Sequence, residues 1–227
     1  MLQLAFDALH AHDYPVARER FEPLALQNHP IALSSLGYLY QQGLGVAVDL
    51  EKAYDYYVRA AALEEPTALF NLALMYADGV VVAHDQFKSH ELLLRCAILN
   101  FPQAQYEVAL SLEKGLGCVQ NFSEAAFWYE EGAKRGHAGA FNNLGVLFKE
   151  GHGVIQNYPK AFICFSRAAQ MDLPEAQYNL GLMYDQGLGG EADHDKALQW
   201  CRKAAYNGHT KAKAILRTLQ EEGKIVF

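Results

Sequence analysis

The chain is 227 residues long, 51% hydrophobic, and carries a formal net charge of −7. That acidity argues against a general nucleic-acid binder, which presents a basic surface. No apolar run reaches the roughly 18 residues that a membrane-spanning helix needs, so no membrane span is expected.

Residues 1–10 place Leu2, Ala5, Phe6 and Leu9 on one helical stripe. Asp7 lies inside that stripe and no basic segment precedes it, so the stretch reads as a structural helix rather than a signal peptide. A short link, His10 to Asp13, leads to a second helix through Ala17, Phe21, Leu24 and Ala25. Pro23 inside it is expected to bend the helix or open a hydrogen bond.

Five units follow, 30–65, 66–101, 102–137, 138–173 and 174–209. Ala32, Ala68, Ala104, Ala140, Ala176 and Ala212 recur at a fixed step of 36 residues, as do Gly43, Gly79, Gly115, Gly151, Gly187 and Gly223. An uninterrupted period of that size marks a solenoid. The expected fold is all-α, an α/α superhelical solenoid of thirteen helices in one domain over 1–227. Residues 1–29 form a divergent capping hairpin. Residues 210–227 form a capping helix with an apolar tail, Lys224 to Phe227, expected to fold back over the last face.

Each unit reads as two helices, A and B. The column Gly37, Ala73, Ala109, Gly145, Gly181 is small, so helix B can press against helix A there. Tyr40, Tyr76, Leu112, Phe148 and Tyr184 are large and fill the space beside it. A Gly-x-Gly turn ends helix A with positive-φ backbone. Asp49, Asp85, Asn121, Asn157 and Asp193 stand as N-caps of helix B, and Asn121 with Glu124 has the spacing of a capping box. Val81 replaces the second turn glycine of the second unit, so that turn is expected to differ locally. The first glycine column, which every unit keeps, is expected to be the costlier to substitute: Gly187→Ala should destabilise more than Gly189→Ala.

Cys96, Cys118, Cys164 and Cys201 occupy four different repeat positions with no paired spacing. They read as buried thiols of a reducing compartment rather than disulfides or zinc ligands. His10 and His12 read as an exposed turn. His29, His137 and His209 recur at a unit boundary, which suggests a structural place. No nucleophile–base–acid set and no phosphate loop is present. No catalytic residue, metal or cofactor is expected.

The pattern Ala-x-x-x-Leu-Gly-x-x-Tyr-x-x-Gly-x-Gly, followed by Asp, Lys-Ala and Trp-Tyr positions, resembles that of Sel1-like repeats, relatives of the tetratricopeptide repeat. Residues 176–203 fit it nearly throughout, with Lys196, Ala197 and Trp200 in place. Residues 36–61 and 144–169 fit well, the unit from Ala104 less so, and the unit from Ala68 least. Phe21 to Ala25 looks like the opening of many bacterial members. The resemblance implies a scaffold or adaptor that holds a protein partner. One secreted branch of similar repeat length, linked to penicillin binding, carries a disulfide in each repeat; this chain lacks those cysteine pairs, so that activity is not carried over.

By resemblance to tetratricopeptide repeats, a ligand would sit on the concave face lined by helix A. The residues expected there are Tyr38, Phe70, Asn71, Tyr106, Glu107, Asn142, Asn143, Lys149, Tyr178, Asn179 and Asp185. Rings beside amides suit an extended peptide, since asparagine both donates and accepts. Equally, Asn71, Asn143 and Asn179 could bond between neighbouring helices and Tyr178 could be repeat packing. The inner columns lack the basic residues of a carboxylate clamp, so a neutral or basic segment is the better-matched partner. The expectation is a noncatalytic, monomeric protein-binding adaptor in the cytoplasm, or outside it if a leader was removed. The alternatives are an architectural array that self-associates and, least favoured, a β-lactam-binding enzyme.

Overall fold

The computed structural model describes residues 1–224, so the apolar tail Ile225–Phe227 lies outside the described residues. Thirteen α-helices and no strands are found among these residues. The capping hairpin is α1 (Leu2–His10) and α2 (Tyr14–Leu26). The five units contribute α3 (Pro30–Gln42) with α4 (Leu50–Ala61), α5 (Pro66–Asp78) with α6 (Gln86–Ile98), and α7 (Pro102–Lys114) with α8 (Phe122–Lys134). Then come α9 (Ala138–Glu150) with α10 (Tyr158–Gln170) and α11 (Pro174–Gln186) with α12 (His194–Tyr206). Helix α13 (Thr210–Glu221) ends the series. The contacts fall into two compact units that divide after Val119, in the loop between α7 and α8. Within the first, consecutive helices pack together from α1 through α7; within the second, the same holds from α8 through α13.

Helix pairing follows the sequence columns. An ideal Cβ on Gly37 would lie 2.6 Å from the Tyr57 ring, and one on Gly145 would lie 2.8 Å from the Phe165 ring. The missing side chain of helix A is therefore the seat of an aromatic ring from helix B. Tyr57 and Phe165 are fully buried. Burying such a ring contributes on the order of 2–3 kcal/mol. The lysine of helix B reaches over the aromatic of helix A: Lys52 over Tyr40, Lys160 over Phe148 and Lys196 over Tyr184, at 4.7, 5.2 and 5.4 Å. These are cation–π contacts at a partly exposed edge.

The A-to-B loop is closed twice. The N-cap side chain accepts from the third amide of helix B, at 2.9 Å for Asp49, Asp85, Asn157 and Asp193. The backbone N–H of the same residue donates back to helix A, as from Asp49 to the Tyr40 carbonyl at 3.0 Å. At Asn121 the capping box takes another form, because Glu124 accepts from the Asn121 side-chain amide at 3.3 Å. Pro23 leaves α2 continuous to Leu26. Among the described residues the cysteines are free. Burial pushes the Cys96 thiol up to about 12 and Cys164 to about 11, which keeps both protonated and unreactive at neutral pH.

Consecutive repeats are joined by contacts that step back about one repeat. Arg59 donates to the Ala25 carbonyl at the end of α2 and to Asn28 Oδ1, at 2.9 and 2.8 Å. Arg95 does the same to Ala61 and pairs with Glu64. A guanidinium thus caps the last turn of the previous helix B, where the helix dipole favours a cation. The B-to-A turns contain a positive-φ column that periodicity did not announce: Asn28, Glu64, Asn100, Gly136, Asp172 and Gly208.

The two turn glycines divide their roles differently from the sequence expectation. The first does end helix A, with Gly151 at φ +76 as the C-cap of α9. A Cβ there would meet Gln156 Cβ at 3.2 Å, a small adjustment. The second, Gly153, also has positive φ, +69, but it lies against the backbone of Phe122 and Ser123, the start of the preceding helix B. Gly189 stands in the same way against Tyr158, with a Cβ 2.8 Å from the Tyr158 carbonyl oxygen, whereas at Gly187 the nearest atom is 3.2 Å away. The expected ranking is therefore reversed, because the second glycine lets one repeat's loop touch the previous repeat. Val81 escapes this demand by leaving the positive-φ region. In urea unfolding, Gly208→Ala, which has open space and φ +101, should lose roughly 1 kcal/mol from backbone conformation alone. Gly153→Ala should lose more, roughly 2 kcal/mol or above. Equal losses at Gly151, Gly153 and Gly208 would refute the inter-repeat role.

Candidate functional site

In the first unit, Tyr38 on α3 is the most open of the helix-A residues singled out from sequence, at 44% exposure. Phe70 on α5 is half-buried, its ring centroid 5.4 Å from that of Phe101, the N-cap residue of α7. Asn71 is half-buried and its amide makes no hydrogen bond among the described residues. Tyr106 and Glu107 on α7 are half-buried. Burial pushes the Glu107 carboxyl above its ordinary value, opposed by Lys114.

In the second unit the asparagines form one hydrogen-bonded chain. Asn179 Nδ2 donates to Asn142 Oδ1 at 2.9 Å, and Asn142 Nδ2 donates to Asn143 Oδ1 at 3.1 Å. Asn143 Nδ2 then donates to the Tyr129 hydroxyl at 3.0 Å. The chain ties α11 to α9 and α9 to α8. It starts at the half-buried Asn179 and ends at the fully buried Tyr129 ring. Tyr178 stacks on His209 with centroids 4.4 Å apart and planes at 22°. This is the Phe70–Phe101 contact repeated: a helix-A ring laid against the cap residue of the next helix A. The packing reading of Asn143, Asn179 and Tyr178 therefore holds on one side of each group. The other side of Asn179 and Tyr178 faces open space.

That space is a cavity of about 500 Å³ bounded by Asn142, Tyr178, Asn179, His209 and Lys211. A second, of about 440 Å³, adjoins Tyr178 and takes in Leu182 and Asp185. Asp185 accepts from or pairs with His194 Nδ1 at 2.8 Å. Lys149 lines neither cavity and lies 3.8 Å from Glu150. Sequence reasoning missed His209, Lys211 and the residues of α12 and α13, because it confined the site to helix A of full repeats. The recurrence of histidine at the boundary was a signal: His137 and His209 are N-caps, each accepting a backbone N–H at 3.1 Å through Nδ1, from Ala140 and Ala212. Among the described residues no three His, Cys, Asp or Glu side chains gather into a metal-binding group. No helix there is long and apolar enough to cross a membrane.

The model of the Sel1 repeat matches residues 30–64, 66–100, 102–137, 140–173 and 174–209. No curated protein matches the chain in sequence. Among solved structures, a Sel1 repeat protein from Oxalobacter formigenes is 28% identical, with 97% of this chain and 91% of that one covered and a TM-score of 0.90. The protective antigen c5321 of uropathogenic Escherichia coli, which displays an SLR fold, is 26% identical with a TM-score of 0.69. The match covers 98% of this chain but only 56% of that one. Immunity protein Pa5087 from Pseudomonas aeruginosa is alike in fold alone, at 19% identity and a TM-score of 0.52, with 87% and 75% covered. The helices therefore form the α/α solenoid of Sel1-type repeats.

Two tests follow from this geometry. Asn142 is buried and is both donor and acceptor in the chain. Asn142→Ala strands Asn143 Oδ1 and Asn179 Nδ2, and should cost roughly 1–3 kcal/mol in urea unfolding. An unchanged midpoint would mean the chain contributes nothing. The histidine caps act only when neutral, and burial lowers both imidazoles from their ordinary 6.5. The unfolded chain then takes up protons first as pH falls, so the stability these caps give is whole above about 6.5 and is lost as pH drops through their lowered values. Thermal midpoints should decline from about pH 7 to 5, and less steeply in the His137→Asn, His209→Asn double variant, since asparagine caps without titrating. Identical profiles would discard the mechanism.

Proposed function

The chain belongs to the Sel1 repeat family, and from that premise we propose that it is a noncatalytic scaffold that holds a peptide or protein segment on its helix-A surface. Sel1 repeats generally serve protein interaction, and proteins built from them are typically noncatalytic. The observation that carries the finer reading is the open cavity beside Asn142, Tyr178 and Asn179. Its amides are fixed by the hydrogen-bond chain and its ring by stacking on His209. Groups already ordered lose little entropy when a ligand arrives. Asn179 Oδ1 receives no donor among the described residues and is available to a peptide N–H. In the first unit, Tyr38 offers an open ring in the column of Leu182, and Asn71 an unbonded amide in the column of Asn179.

Site-specific photo-crosslinking in native host cells tests this. A benzophenone side chain at Tyr38 or Tyr178 should capture a discrete protein. The same group at Phe127 or Ile163, exposed on helix B at 54% and 58%, should not. Capture only from the helix-B positions would move the binding surface there. Crosslinks solely to further copies of the chain would favour the architectural reading.

A further inference from the structure

Helix B carries a column of bulky residues that fill the space beside the small column of helix A: Tyr57, Leu93, Tyr129 and Phe165, all buried. In the last full repeat that position is Cys201. The consequence is visible at Gly181. Where Gly37 and Gly145 face an aromatic ring, the atoms nearest to a Cβ on Gly181 are backbone and a β-carbon: the Ala197 oxygen at 3.2 Å, Cys201 N at 3.6 Å and Trp200 Cβ at 3.7 Å. The cavity of about 440 Å³ lies there, lined by Gly181, Ala197 and Cys201 and walled by Leu182, Leu198 and Ile215. It is a ring seat without its ring.

The rim of this notch is acidic. Residues 185–195 contain Asp185, Glu191, Asp193 and Asp195 and no lysine or arginine. Asp185 and Asp195 line the cavity itself. Asp195 has no ion pair among the described residues, and His194 is the neighbour of Asp185 at 2.8 Å. Of the nearby cations, Lys196 pairs with Asp193, and Lys224, which also lines the cavity, pairs with Glu222, both at 2.8 Å. An apolar ring seat beside one unpaired carboxylate, Asp195, and a second, Asp185, held by a histidine fits one kind of side-chain pair.

We propose that this notch receives an aromatic side chain of a partner peptide, with a lysine or arginine next to it meeting Asp185 and Asp195. The inference rests on the peptide-binding reading above and adds to it the place and the chemistry. The incoming ring takes the seat that Tyr57 and Phe165 occupy within their own repeats. The neighbouring cation meets Asp195, which has no ion pair among the described residues, and Asp185 beside His194, which sets specificity and approach more than raw affinity.

Selection of a random dodecapeptide phage library against the full chain tests it. The enriched peptides should carry Phe, Tyr or Trp beside Lys or Arg. Cys201→Phe restores the repeat's own ring, and should weaken the enriched peptides by about tenfold or more while the thermal midpoint holds or rises. Should that variant misfold, Ile215→Arg, at a position 37% exposed, obstructs the mouth and repels the cation with the same expected loss. Asp195→Lys should remove the basic preference while aromatic enrichment persists. Enriched peptides that bind Cys201→Phe and Ile215→Arg as well as the parent would overturn the notch and leave the broader scaffold reading standing. Failure to enrich any peptide would count against both. Self-association that Cys201→Phe abolishes would give the notch to a second copy of the chain, and peptide binding seen only after truncation at Lys224 would give it to the chain's own last residues; either result overturns the proposal.

Discussion

The close approach of helix A to helix B at the glycine column is the constraint on which the rest depends. Where Gly37 and Gly145 stand, the helices share one aromatic ring, and no side chain larger than hydrogen fits without displacing it. The N-cap bonds, the lysine–aromatic contacts and the loop closures all surround that seat and take their spacing from it. Because interiors are packed to crystal-like density, a single change of volume at such a point is felt locally rather than averaged away. The difference between Phe165 and Cys201 is such a change: a ring stands against Gly145, and a cavity of about 440 Å³ adjoins Gly181.

Under the proposed function, the polar residues of the helix-A surface combine two roles that first look like alternatives. Asn142, Asn143 and Asn179 are structural, since they satisfy one another and the Tyr129 hydroxyl. That satisfaction also presents a fixed amide at the cavity edge. A hydrogen-bonded network that is complete on its inner side is rigid, and rigidity favours recognition. The Tyr178–His209 stack acts likewise, with one ring face committed and one free.

The fold was legible because its information is periodic. Alanine, glycine and the Asp/Asn caps each return after 36 residues, and helices respond to local pattern. Less was legible wherever meaning lies between repeats. Gly153 looks interchangeable with Gly151 in a sequence, and only the nearness of Phe122 distinguishes them. The left-handed column from Asn28 to Gly208 mixes Asn, Glu, Gly and Asp, so identity does not reveal it. Among the site residues, Asn142, Tyr178 and Asn179 do come together, while Lys149 does not join them. Cys201 gave only the signal of a small thiol; that it stands where a ring belongs becomes informative once Tyr57 and Phe165 are seen against their glycines.

The arginine links carry a consequence for how the chain is made. Arg59 and Arg95 each reach a carbonyl 34 residues earlier, and the loop glycines lean on helix starts that also precede them. All these docking points are already synthesised when the later residue emerges. A nascent repeat therefore finds a surface waiting for it, while the Phe70–Phe101 and Tyr178–His209 contacts close once the next cap residue has emerged. Contacts so short in sequence carry little loop-closure entropy and favour fast folding. The molecule can be laid down in the order in which it is translated, each repeat serving as the template for the next.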